Sequence, residues 1–249
     1  MTKLAFVFPG QGSQSVGMLD SWASNDAVKA VMDEASQALA QDLHRLAAEG
    51  PAEALNLTTN TQPIMLAASY AMYQAYLSAG GAAPEVVAGH SLGEYTALTA
   101  AGSLSLSDAV RLVRIRADAM QSAVPVGEGG MAAILGLDDD AVRQVCEQAS
   151  TDDSFVEAVN FNAPAQVVVA GHKDAIDRVC VLAKEAGAKR ALPLPVSAPF
   201  HSRLLEPAAQ VLADALAAIE LQRPAMPVIN NVDVATADMP CLLYTSPSP

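Results

Sequence analysis

Gly89-His90-Ser91-Leu92-Gly93 is a G-x-S-x-G pentapeptide between an apolar run that reads as a strand, Glu85 to Gly89, and one that reads as a helix, Leu92 to Ala101. In that setting the flanking glycines permit a tight, strained turn that lifts a serine hydroxyl from the C-terminal edge of the strand. The first amides of the helix then face whatever the serine attacks. Ser91 is read as a nucleophile, with the Leu92 N–H as one oxyanion donor and a second expected from the Gly10-Gln11-Gly12 loop, which also follows a strand. The competing reading is a chance pattern of small residues in a strand-to-helix turn, and it is the placement between strand and helix that separates the two.

A serine hydroxyl is a poor nucleophile until a base takes its proton. Four histidines are available, His44, His90, His172 and His201. His90 adjoins Ser91 and is expected to point away from it. His44 lies in an amphipathic polar stretch and His172 follows a strand end, so both read as solvated surface residues. His201, in Ser197-Ala198-Pro199-Phe200-His201-Ser202, is the candidate base, set against the plainer role of a helix-cap or core histidine. No carboxylate between Ser91 and His201 stands out as a group to orient that base. Asp138 to Asp140 read as a helix start, and Asp174 and Asp177 as solvated helix charges.

The helix expected near 107–122 carries Arg111, Arg114 and Arg116. At about 100° per residue, Leu112, Val113 and Met120 fall within about 60° of Ala109. Arg116 lies in the middle of that apolar stripe, while Arg111 and Arg114 project to the far side. A guanidinium turned toward the core keeps its proton and needs an anion. That anion is either an internal carboxylate or the carboxylate of a bound substrate gripped by two parallel N–H···O bonds.

These groups need a scaffold, and the pattern supplies one. Lys3 to Pro9 reads as a buried strand, followed by a helix at about 26–40. A further helix is expected from Pro63 to Leu77, with Gly80 as its stop, and then come the strand and helix around Ser91. Strand, turn and helix in this repetition predict an α/β fold with a parallel sheet. Beyond the 107–122 helix the order changes. Gly129 to Gly136 reads as strand, Asp138 to Ala149 as helix, Phe155 to Asn160 and Gln166 to Ala170 as strands, Asp174 to Ala186 as helix, and Arg190 to Val196 as strand. That β-α-β-β-α-β order is the split, ferredoxin-like unit. The expected organisation is a hydrolase-like large subdomain, 1–124 and 197–239, with an inserted ferredoxin-like small subdomain at 125–196. The main sheet resumes through a helix at about 203–218 and a strand at about 226–232. Residues 240–249 continue no pattern and are expected to be a truncated or non-native tail.

Composition narrows the class. A net charge of -13 with only 14 lysines and arginines argues against nucleic acid. The uncharged stretch from Ala54 to Pro84 raises a membrane span as a question. Its serines, tyrosines and paired glycines argue instead for a buried helix, because polar groups are costly in lipid. Cys146, Cys180 and Cys241 show neither disulfide nor metal-ligand spacing, which fits a reducing cytoplasm and no metal site.

Taken together, Phe8-Pro9-Gly10-Gln11-Gly12-Ser13-Gln14, Gly89-His90-Ser91-Leu92-Gly93-Glu94, Arg116 and Phe200-His201 resemble the acyltransferase family of fatty acid and polyketide synthesis, and within it the malonyl-CoA:acyl carrier protein transacylases. The resemblance runs from about residue 3 to 235. It implies Ser91 as the acylated nucleophile, His201 as its base, the Gln11 and Leu92 N–H groups as oxyanion hole, and Arg116 as the malonyl carboxylate clamp. In such proteins the histidine is held by a carbonyl acceptor rather than a triad acid. Phe200 resembles the bulky residue that narrows the pocket of malonyl-selective members, and Met120 and Met131 are candidate pocket residues that core filling would equally explain. The partners implied are malonyl-CoA, as a substrate rather than a cofactor, and acyl carrier protein, with no further cofactor. Two rival readings are a serine hydrolase or thioesterase, which would show a carboxylate behind the base and no buried arginine, and a carrier-binding module without activity.

Overall fold

The computed structural model describes residues 3–125, 127–196 and 198–236, so the segment 240–249 lies outside the described residues. Residues 3–118 with 212–236 form one compact unit and 119–211 a second. The segment 125–196 falls within the second unit, which also takes in the last turn of the helix before it and the residues up to 211.

In the first unit three parallel strands, β1 (Ala5–Phe8), β2 (Val86–Gly89) and β7 (Val228–Ile229), lie in the order β1-β2-β7. Their register runs from Ala5 opposite Val86 to Phe8 opposite Gly89, and Val87 faces Val228. Parallel neighbours require long crossovers. The first is made by α1 (Asp26–Leu39), α2 (Leu43–Glu49), α3 (Ala52–Leu55) and α4 (Thr58–Ser78); α5 (Leu92–Ala100) and α6 (Leu106–Ala123) follow β2. The Asn25 side chain starts α1 by accepting from the Ala27 and Val28 N–H groups. Met32, Leu43, Ile64, Leu66, Leu92, Tyr95, Leu112 and Leu216 form the core.

Two expectations are corrected here. The long helix starts at Thr58 and carries Pro63 in its interior. Its first turn is secured before the proline is reached, because Leu57 O accepts from both the N–H and the hydroxyl of Thr61. The first strand is buried on one face only. Phe6 and Phe8 pack among Tyr73 and Tyr76, whereas Val7, pointing the other way, is 73% exposed. Among the described residues no helix is long and apolar enough to cross a membrane.

The second unit holds β3 (Gly129–Leu135), α7 (Asp139–Ala149), β4 (Val156–Ala163), β5 (Gln166–His172), α8 (Lys173–Glu185) and β6 (Arg190–Pro193). Its antiparallel strand order, β4-β5-β3-β6, is the ferredoxin-like one. The α/β class and both sheets therefore follow the pattern expected. Asp138 caps α7 by accepting from the Ala141 N–H at 2.8 Å. Alternation along β5 divides the unit's apolar residues into two layers. Val167 and Val169 join Ile134, Val145, Cys146, Ile176 and Val179 under the helices. Val168 and Ala170 join Met131, Val159, Leu194, Val196 and Phe200 on the opposite face. β6 stops at Pro193 rather than at Val196. Leu194 N–H still reaches Met131 O at 2.9 Å, but Pro195 has no N–H to continue the ladder. α9 (Glu206–Ala217) then leads back to the first unit.

Candidate active site

Ser91 sits between β2 and α5 with φ 51° and ψ −107°. A non-glycine residue held there stores backbone strain, and the surroundings must enforce it. They do so by close packing. A Cβ on Gly89 would stand 1.9 Å from the Gly93 carbonyl carbon, and a Cβ on Gly93 would stand 2.2 Å from Phe8 O. The glycines on either side of the serine thus let a helix start directly against two strand ends. The helix opens with Gly93 N–H donating to His90 O and Glu94 N–H to Ser91 O. Among the described residues the Leu92 main-chain N–H has no protein acceptor, as befits the first amide of a helix. Nor does that of Gln11, whose side chain is anchored to Thr58 Oγ1 at 3.2 Å. The same loop is pinned by Gln14, which accepts from Gly12 N–H and donates to Asn56 Oδ1.

Arg116 points inward from α6 and is 5% exposed. Its Nη2 donates to Ser91 Oγ at 3.0 Å and its Nη1 to Gln62 Oε1 at 2.9 Å. The guanidinium lies 5.6 Å from the centre of the Tyr95 ring. Among the described residues no carboxylate pairs with it within 4.0 Å. Burial lowers the arginine's pKa from its ordinary value and raises that of the Tyr95 hydroxyl. The guanidinium nevertheless stays charged, since arginine does not lose its proton in proteins. A buried cation beside a hydroxyl, satisfied so far by neutral acceptors, is an arrangement suited to a ligand's carboxylate. Ser91, Leu92, Gln11 and Arg116 all belong to this first unit.

The remaining sequence candidates lie in the second unit. His201 occupies a tight turn with φ 65°. Phe200 N–H donates to Ala198 O, and the buried Ser202 hydroxyl donates to Pro199 O at 2.8 Å. Phe200 packs against the cluster of Met120, Val124, Leu205 and Ala208 as well as that of Met131, Val168 and Ala170. Both methionines are 5% exposed, so the two candidate methionines meet the same phenylalanine. His44 is paired with Asp33 at 2.9 Å on the surface, as read. His172 is not the solvated residue expected. It closes β5 half-buried, its Nδ1 3.1 Å from Phe155 N–H and its ring edge-on to the Phe155 ring.

A family model for the acyl transferase domain matches residues 5–242. The chain belongs to the acyl transferase domain family. Malonyl CoA-acyl carrier protein transacylase of Escherichia coli (strain K12) is 56% identical over 235 residues, covering 94% of this chain and 76% of that protein. The crystal structure of acyl-carrier-protein S-malonyltransferase from Burkholderia pseudomallei 1710b superposes with a TM-score of 0.95 at 62% identity, over 98% of this chain and 80% of that one. A malonyl-transacylase solved in complex with a type II PKS acyl-carrier protein gives a TM-score of 0.95 at 46% identity, over 98% of this chain and 79% of that one.

Within this acyl transferase domain, two polar residues at the serine escape the sequence reading. Gln62 is 1% exposed and supports Arg116. Its signal is weak, a glutamine that closes the polar first turn Thr58-Thr59-Asn60-Thr61 one residue before Pro63. Asn231 lies just past β7. Its Oδ1 accepts from Ser91 N–H at 2.7 Å and its Nδ2 donates to Gly89 O at 2.6 Å. The available signal is a polar pair, Asn230-Asn231, at the C-terminal end of a parallel strand, where α/β proteins place functional groups.

Proposed function

We propose that this chain transfers a malonyl group from malonyl-CoA to the phosphopantetheine thiol of an acyl carrier protein, in fatty acid biosynthesis, through a malonyl ester on Ser91. The observation that carries the reading is the buried Arg116 guanidinium, 3.0 Å from Ser91 Oγ and without a carboxylate partner among the described residues. A substrate with a free acid end matches that cation while its thioester is presented to the serine.

His201 is the base in this reading. It takes the Ser91 proton as Oγ attacks the thioester carbonyl, and the Leu92 and Gln11 N–H groups receive the developing oxyanion. The C–S bond breaks, the proton passes from His201 to the departing coenzyme A thiolate, and a malonyl-serine ester remains. The carrier's thiol then runs the same chemistry in reverse. No cofactor is required, because the acyl group arrives already activated as a thioester. Phe200, with Met120 and Met131 packed around it, narrows the space available to a branched acyl chain. We place the reaction in the cytoplasm, in keeping with the free thiols of Cys146 and Cys180.

Incubation with malonyl-, methylmalonyl- and acetyl-CoA, each read by intact mass and peptide mapping, tests the scheme. One malonyl group on Ser91, exceeding the methylmalonyl and acetyl adducts, is the expected result; an unmodified Ser91 with malonyl-CoA refutes it. Arg116→Ala should lower kcat/KM for malonyl-CoA by on the order of a hundredfold and shift preference toward acetyl-CoA, because only malonyl has a carboxylate to leave unpaired. A variant that keeps its malonyl preference would remove the clamp from the scheme.

A further inference from the structure

We infer that Asn231 is a positioning residue that holds the strained backbone of the nucleophile, and that its carboxamide is required in that role for both its donor and its acceptor. The inference rests on Ser91 being the nucleophile of the proposed reaction. It asks what keeps that serine at φ 51°.

Ser91 cannot rely on its own side chain as a cap, since none of its side-chain atoms bonds the first amides of α5. Its main chain is instead captured from outside. The C=O of Gly89 and the N–H of Ser91, two residues apart across the turn, form a donor–acceptor pair that one carboxamide can match. Asn231 does so with Nδ2 at 2.6 Å and Oδ1 at 2.7 Å. The residue is itself fixed from below, its own N–H donating at 3.0 Å to Oε2 of Glu94, which is 2% exposed on α5. Strand end, serine turn and helix are therefore joined through one residue just past β7, remote in sequence from the other two.

The consequence is chemical as well as mechanical. With the Ser91 N–H engaged by Asn231, the Leu92 N–H is the first amide of the helix left to meet an incoming oxyanion. A residue lacking the donor, or carrying a charge in its place, relaxes the turn and moves both Oγ and that amide.

The chemistry of the amide provides a test. An aspartate at this position would be isosteric with Asn231, but its carboxylate cannot donate to Gly89 O and would set a negative charge against that carbonyl oxygen. Once protonated, it regains one donor and one acceptor. Asn231→Ala and Asn231→Asp in the 249-residue chain should each lower the single-turnover rate of Ser91 malonylation at pH 8 by about tenfold or more. KM for malonyl-CoA and the melting temperature should stay near native values. The rate of Asn231→Asp relative to the native chain should climb as pH falls from about 8 toward 5, while that of Asn231→Ala stays flat. Labelling of Ser91 by a small fluorophosphonate should fall in the same two variants, and this arm involves no malonyl group. If the native chain takes the fluorophosphonate on Ser91 but not malonyl-CoA, the malonyl reading fails and the role of Asn231 is judged on the fluorophosphonate arm. Rates within twofold of native in both variants, or a ratio of Asn231→Asp to native independent of pH, would overturn the inference.

Discussion

Ser91 and His201 are both non-glycine residues held in the left-handed half of backbone space, at φ 51° and φ 65°, yet the two regions hold them by different means. Around Ser91 the constraint is mainly steric and built from main chain, with Gly89, Gly93 and Phe8 so close that one added carbon would overlap backbone atoms, and the Asn231 carboxamide is added to that packing. Around His201 it is a set of side-chain latches. Ser202 Oγ donates to Pro199 O, and Arg203 N–H donates to Glu157 Oε1 at 2.6 Å. The Arg203 guanidinium lies 3.7 Å from the centre of the Phe155 ring, and Phe200 is packed between two methionine-containing clusters. A turn made mainly by packed backbone has little room to change shape beyond what one carboxamide holds, whereas a turn made by latches alone loses its precision gradually as latches are removed.

That difference predicts unequal responses to substitution. Gly89→Ala, which would put a Cβ 1.9 Å from the Gly93 carbonyl carbon, should lower the melting temperature by about 5 °C or more. It should also cut Ser91 acylation by about a thousandfold. An active Gly89→Ala enzyme with native stability would break the comparison on the serine side. On the histidine side, Glu157→Ala should slow transfer by about fivefold, the worth of one partly exposed hydrogen bond. Glu157→Gln, which keeps an acceptor for Arg203 N–H, should stay within about twofold of native. A loss from Glu157→Ala as large as that from Gly89→Ala would show the latches to be as unforgiving as the glycines.

The smallest effect concerns the helix-covered layer of the second unit, on the face away from Phe200. Burial pushes the Cys146 thiol up to about 12, while an unfolded cysteine ionises near about 8.5. Between those values the unfolded chain binds fewer protons than the folded one, so this group's contribution makes stability fall as pH rises above about 9. Urea midpoints measured from about pH 8 to 11 should decline more steeply for the native chain than for Cys146→Ala. Equal slopes would mean that the thiol is open to solvent.

The same contrast explains what is legible in the sequence. The serine turn can be read because close backbone approach admits only glycine, so the constraint is written as G-x-S-x-G between a strand and a helix. Arg116 can be read because a charge within an apolar stripe is anomalous at helical spacing. The β-α-β-β-α-β order can be read because each element has its own period. Glu157 and Phe155 cannot, since an acidic and an aromatic residue on a strand look ordinary until the fold brings them to Arg203. His172 misleads for the same reason, its partner Phe155 being 17 residues away. Local preference puts Pro63 at a helix start. The Thr61 bonds to Leu57 O and the burial of Thr58, Thr61 and Gln62 favour a helix that begins a turn earlier.

The burial of Arg116 has a bearing on how an anion would reach it. The chain carries a formal net charge of -13, so an approaching polyanion meets a repulsive field over most of its path and attraction only within the last few ångströms. Mobile salt screens the first over a Debye length of about 10 Å at 0.1 M but hardly touches a cation shielded from solvent. Added electrolyte should therefore speed the encounter with an acidic ligand without loosening its final grip, the reverse of what a protein with a basic surface would do.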